Sequence, residues 1–206
     1  MTKRNFVSLV AITAVLLANN AMADVRPVTL PKFASVMAVT PRPITDFTLT
    51  DQDGKARKFS IFRGQPTLVF FGFTNCPDVC PATMHQLQLV TAMRRPDMRG
   101  IKVLMISVDG ERDTPLRLKE FLATISMPYL KIISGMTGSR AQVREIAKQF
   151  GAVSFKREPR SGEHSYSLDH SSQVYLVDGD GVLRAEFYAA ALPQNIASVT
   201  DAVRRR

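Results

Sequence analysis

The sequence predicts an α/β fold, a central mixed sheet flanked by helices. Three observations carry the prediction. Residues 67–73 (TLVFFGF) and 101–108 (IKVLMISV) are continuous apolar runs rich in β-branched and aromatic residues, helical periods follow each of them, and two further strand-like runs flank Asp178-Gly179-Asp180-Gly181 near the end. Unbroken apolar runs suit strands buried on both faces. Strands alternating with helices, closed by an antiparallel hairpin, imply helices on both sides of one sheet.

Taken in order, residues 1–23 come first. Lys3 and Arg4 precede an apolar run at 6–18, and Ala21-Met22-Ala23 follows as a small-x-small pattern, the layout of a secretory signal peptide. Asn19 and Asn20 end the run after roughly 13 residues, short of the ~20 that a spanning helix needs. Cleavage after Ala23 is therefore expected, with retention as a membrane anchor as the alternative. Residues 24–42 carry Pro27, Pro31 and Pro41 with no clear period, and read as an extended lead-in.

Residues 43–206 read as one domain. Phe47-Thr48-Leu49 and Phe59-Ser60-Ile61 flank Asp51-Gln52-Asp53-Gly54, which predicts a hairpin ahead of the first core strand. The strand at 67–73 gives way to a helix with apolar positions Met84, Leu87, Val90 and Met93. After the strand at 101–108, Thr114-Pro115 opens a helix reaching about Ile125, and 129–133 suits a short strand. Residues 139–150 have helical period through Val143, Ile146, Ala147 and Phe150, with Gly151 as a stop. Strands at 173–177 and 182–187 flank the Asp-Gly turn, and Pro193 opens a last helix. This is the thioredoxin-like order with an extra N-terminal hairpin. The longest unassigned stretch, 157–172, has the length at which internal loops are usually functional.

Roughly 180 residues remain after removal of 1–23, enough for one domain with its own core. The net charge of +9 falls to nearer +7 without Lys3 and Arg4, and the basic residues are scattered apart from Arg204-Arg205-Arg206 and the group Lys156, Arg157 and Arg160. No clustered patch or motif for nucleic acid is present, so no nucleic-acid partner is expected. The two cysteines lie four residues apart, too close for a bridge to remove much unfolded-state entropy. A chemical role explains them better than a staple.

Cys76 and Cys80 sit in Asn75-Cys76-Pro77-Asp78-Val79-Cys80-Pro81, where a buried strand becomes a helix. Pro81 is tolerated in the first helical turn, and either Asp78 or Cys80 could cap the helix. The positive end of the helix favours thiolate at both positions. Residues so spaced share a face, so both sulfurs can converge on one ion, or close a disulfide. The spacing alone leaves copper, zinc and redox cycling open. Of the three histidines, His85 lies on the helix and His164 in a Ser-Gly-Glu-His stretch. His170 ends the long loop just before a strand, where a sheet can hold it facing the helix start.

Three separated stretches carry a resemblance. They are Phe70-Phe71-Gly72-Phe73-Thr74-Asn75-Cys76-Pro77-Asp78-Val79-Cys80-Pro81, then Ser107-Val108-Asp109-Gly110-Glu111-Arg112-Asp113-Thr114-Pro115, then Leu168-Asp169-His170-Ser171. In this order they resemble the Sco/SenC family of copper-binding proteins that serve cytochrome c oxidase assembly. The resemblance implies that Cys76, Cys80 and His170 are the ligands of copper, as Cu(I) or Cu(II), and that Cys76 and Cys80 also form a redox disulfide. Asp78 would cap the helix or tune the site, while Asp109 and Asp113 would organise the turn before Thr114-Pro115. Met84, Met93 and Met105 fall at core spacing and read as core filling. Gly110 stands where the family often has proline.

The implied function is a copper metallochaperone. Its partners would be a copper-accepting protein such as cytochrome c oxidase subunit II and a thiol reductant, since a disulfide offers no thiolate to a metal. A monomer is expected, exported to the periplasm, or membrane-associated if residues 1–23 are retained. The alternative is a thiol-disulfide oxidoreductase. Against it, such enzymes use Cys-x-x-Cys and place a proline facing the site, and Leu168-Asp169-His170 has none.

Overall fold

The computed structural model describes residues 29–30, 32, 35–93, 101–125, 133–159, 165–189 and 191–204. The expected signal segment 1–23, His164, Arg160 and most of the strand expected at 129–133 lie outside the described residues. The elements run β1 (Val36–Pro43), β2 (Thr48–Asp51), β3 (Ala56–Lys58), β4 (Thr67–Gly72), α1 (Val79–Ala92), β5 (Lys102–Ser107), α2 (Pro115–Ile125), β6 (Ile133–Thr137), α3 (Arg140–Phe150), β7 (Ser154–Arg157), β8 (Ser167–His170), β9 (Val174–Val177), β10 (Val182–Phe187) and α4 (Pro193–Arg204).

An eight-stranded sheet has the order β1-β10-β9-β4-β5-β6-β2-β3, and β7 and β8 form a separate two-stranded sheet. β4, β5 and β6 are parallel, and β9 joins β4 antiparallel. The period of two along each strand divides the core. Val69 and Phe71 of β4 face a layer containing Val143, Ile146 and Phe150 of α3. Leu68 and Phe70 face Met84 and Leu87 of α1, Leu118 of α2, and Ile196 and Val199 of α4. Both faces of β4 are thus covered, which is why its sequence is apolar without a break from Leu68 to Phe71.

The two Asp-Gly turns use one device. In the β2–β3 turn, Asp51 accepts from the amides of Asp53 and Lys55 and from Arg57 Nε at 2.9 Å. In the β9–β10 turn, Asp178 accepts from the amides of Asp180 and Val182 and from Arg184 Nε at 2.6 Å. Gly54 and Gly181 both take φ of 77°, a value that suits glycine at the turn. The Asp178–Arg184 pair is buried; the outer turn's pair is more exposed.

The helices begin and end as their sequences dictate. Thr114 Oγ1 accepts from the Arg117 amide at the start of α2. Ser139 and Gln142 form a reciprocal capping box on α3, and Gly151 closes that helix with φ 76°.

Four expectations are corrected. Part of the extended lead-in, from Val36 onward, is a sheet strand: β1 pairs antiparallel with β10. It tolerates Pro41 and Pro43 because it is an edge strand with a register shift between Ala38 and Arg42. Phe59-Ser60-Ile61 is a 3-10 turn, and the second strand of the N-terminal hairpin is the preceding Ala56–Lys58. The stretch 157–172 is not wholly loop, since its two ends belong to the β7–β8 ribbon. Met84 and Met105 fill the core, but Met93 is 53% exposed just past the end of α1.

Candidate metal centre

The turn after β4 is built from short backbone contacts. The Cys76 amide donates to the Phe73 carbonyl at 3.2 Å, which folds the chain back so that Cys76 lies ahead of α1. Asp78 occupies the N-cap position, as one of the two sequence alternatives has it, but its carboxylate makes no capping bond. Its amide instead joins the Cys80 amide in donating to the Cys76 sulfur, the latter at 3.4 Å. The orphan amides of the helix start are thus spent on a sulfur.

Cys80 lies in the first turn of α1 and is 1% exposed, packed against β4. Gly72 makes room for it, because a Cβ there would lie 2.9 Å from the Cys80 sulfur. His170 ends β8, where its ring meets Phe73 edge-on with centroids 5.7 Å apart. His170 Nδ1 lies 2.9 Å from the Ser171 carbonyl oxygen, which can only accept. In the neutral ring the proton therefore belongs on Nδ1, leaving the Nε2 lone pair free; Nε2 lies 3.7 Å from Cys80 Sγ.

The three donor atoms lie within 4.8 Å of one another. A trigonal ion with bonds of about 2.0–2.3 Å would hold such donors about 3.7–4 Å apart, so the constellation is close to ion-binding size. Two sulfurs and one imidazole are a soft donor set. An open cleft of about 320 Å³ reaches this centre, with Cys76, His170, Pro77, Val79 and Arg157 among its lining residues.

The electrostatics divide the two thiols. Both are unbridged. The hydrogen bond from Cys80 draws Cys76 down to about 3, against the effect of burial and with help from His170 and the two amides. Cys80 moves the other way, raised by its bond to Cys76 and by burial. The pair therefore holds its first negative charge on Cys76. Burial opposes a charge on His170, but its bonds to Cys76 and to the Ser171 carbonyl outweigh that and raise its pKa.

The acidic residues of the second matching stretch reach further than their own turn. The Asp109 carbonyl does accept from the amides of Arg112 and Asp113. In addition, Asp113, fully buried, accepts from the Thr74 amide at 2.9 Å, Thr74 Oγ1 at 2.6 Å and Ser107 Oγ at 2.7 Å. Asp109 accepts from the Tyr166 hydroxyl at 2.6 Å. Gly72 and Thr74 lie inside the first matching stretch but had no role assigned from the sequence, and for Tyr166 the signal was its place four residues before His170. His85 is exposed on α1 and does not join the centre.

The SCO1/SenC family model matches residues 24–205. A mitochondrial SCO2 homologue of Bos taurus is 34% identical over 162 residues, covering 78% of this chain and 58% of that protein. The copper-bound structure of ScoI from Bradyrhizobium japonicum is 31% identical, with a TM-score of 0.68 over 79% of this chain and 99% of that one. The structure of BsSco, a member of the Sco family of cytochrome c oxidase assembly proteins with an identified disulfide switch, is 26% identical. Its TM-score is 0.63 over 86% of this chain and 98% of that one.

Proposed function

This chain belongs to the SCO1/SenC family, and from that premise we propose that it binds copper through Cys76, Cys80 and His170 and delivers it to a copper-accepting protein. The observation that carries the reading is the convergence of two sulfurs and a freed imidazole nitrogen within 4.8 Å at a helix start. Copper is the cargo, and cytochrome c oxidase subunit II is the acceptor that the family's role favours.

The donors suggest an order for the transfer. Cys76 and His170 line the open cleft, whereas Cys80 does not and is 1% exposed. Incoming donors of the acceptor would meet Cys76 and His170 first, and Cys80 would let go last. Uptake requires both thiols reduced, which calls for a thiol reductant as a second partner.

An exported, periplasmic setting suits this role. Residues 1–23 have the layout of an export signal. Among the described residues, no helix is long and apolar enough to cross a membrane.

A thiol-disulfide reading draws on the low pKa of Cys76, which marks a nucleophilic thiolate beside a partner thiol. Complementation of oxidase assembly separates the two. With ample copper supplied, delivery requires His170→Ala to fail as completely as Cys76→Ser. Assembly at wild-type level with His170→Ala would favour the reductase.

A further inference from the structure

The copper centre has two halves that reach it from different parts of the chain. The cysteine half comes from the β4–α1 turn and the histidine half from the β7–β8 ribbon, which is not part of the main sheet. The segment between β5 and α2 touches both. On the cysteine side Asp113 holds the amide and hydroxyl of Thr74, two residues before Cys76. On the histidine side Asp109 takes the Tyr166 hydroxyl at 2.6 Å, and Arg112 Nη1 donates to the Tyr166 carbonyl at 3.1 Å.

Arg112 binds the remaining oxygen of Asp109 and lays its guanidinium 3.8 Å from the Tyr166 ring centroid. The same guanidinium lies 6.0 Å from the ring of Phe73, which in turn packs against His170. A second tie from this segment to the ribbon, Lys156 to Glu111 at 3.6 Å, is long and has its carboxylate in solvent, and is therefore weak. The Asp109–Tyr166–Arg112 cluster is better placed to hold. Asp109 is 2% exposed, so its hydrogen bonds operate in a low-dielectric setting and cannot be exchanged freely for water.

We propose that Tyr166, Asp109 and Arg112 are positioning residues that latch the histidine-bearing ribbon to the segment fixing the cysteine turn, and so set the distance from His170 Nε2 to the two sulfurs. The proposal rests on the copper-binding reading above. Tyr166 lies four residues before His170 on a strand-like path, so a ribbon released at Tyr166 carries the imidazole away from a cysteine turn that Asp113 still ties down through Thr74. The latch makes no contact with the metal and acts only through geometry.

The test compares the full reduced chain with Tyr166→Phe, which removes the hydroxyl and keeps the ring, and with Asp109→Ala. Copper affinity is measured by competition, and the thiolate-to-Cu(II) charge-transfer bands report the donor geometry. Tyr166→Phe should weaken binding roughly tenfold, the low end for loss of an outer-sphere partner, and should shift the bands. The double variant should be no weaker than Asp109→Ala, since both changes break the same bond. Wild-type affinity and unshifted bands in Tyr166→Phe would overturn the latch.

A metal-free readout keeps the two readings distinguishable. The nuclear Overhauser contact between the Phe73 and His170 rings should be present in the wild-type apo chain and weakened in Tyr166→Phe. If the wild type takes up no copper, the copper reading falls and this contact still judges the latch; an undiminished contact in the variant overturns it.

Discussion

His170 Nε2 stands 3.7 Å from Cys80 Sγ, although the two residues are ninety positions apart and sit on separate elements. Two local bonds create the relationship. The Ser171 carbonyl accepts from Nδ1–H, and the Phe73 ring packs perpendicular to the imidazole. A nitrogen so oriented can donate to a metal ion, and the consequences can be measured.

The histidines should separate cleanly. His170→Ala should lower copper affinity by more than the roughly 10–100-fold that loss of an outer-sphere partner costs. His85→Ala should leave it unchanged, because His85 is exposed on α1 and outside the centre. Competition titrations of the two variants check this, and equal losses would contradict it.

Proton release gives a second check. Cys76 is ionised above about pH 3, while Cys80 keeps its proton through the neutral range and His170 holds one up to a raised pKa. Copper must displace the protons still bound, so affinity should rise with pH. About one proton should leave per copper where His170 is already neutral, and about two where it is charged. Calorimetry in buffers of different ionisation enthalpy measures the count; uptake without proton release would contradict the assigned protonation.

Gly72→Ala should damage the site without replacing a ligand. The added methyl would lie 2.9 Å from Cys80 Sγ and 3.3 Å from the Phe70 ring, inside a fully packed sheet. The sulfur is the softer neighbour and should move, lowering copper affinity and shifting the charge-transfer bands. Spectra identical to wild type would show that the sheet yields instead.

The buried ion pair of the β9–β10 turn should be structural only. Arg184→Ala leaves the Asp178 carboxylate buried without its guanidinium, which costs roughly 3–5 kcal/mol. Urea unfolding should show that loss while copper binding by the folded fraction is retained. Destabilisation of less than about 1 kcal/mol would put the pair among the weak surface bridges.

Much of this was legible in the sequence, for physical reasons. β4 and β5 are covered on both faces, so their composition alone marks them, and Cys76 and Cys80 follow from the junction with α1. His170 was legible as a candidate ligand through the Asp-His-Ser stretch, but its strand was not. β8 pairs with β7, and along Ser154–Arg157 the one apolar side chain, Phe155, is exposed, so the hydrophobic pattern does not mark a buried strand face. β1 was hidden by its prolines, which an edge strand accepts. The wider role of Asp109 and Asp113 was hidden because their partners, Tyr166 and Thr74, lie fifty-seven and thirty-nine residues away.

The most direct test of the copper centre is X-ray absorption at the copper edge on the reduced chain loaded with Cu(I). One copper per chain is expected, with two sulfur neighbours from Cys76 and Cys80 and one imidazole nitrogen from His170. The sulfur count should fall to one in Cys80→Ser, and the imidazole signal should vanish in His170→Ala. A first shell of oxygen and nitrogen alone, or an unchanged imidazole signal in His170→Ala, would contradict it.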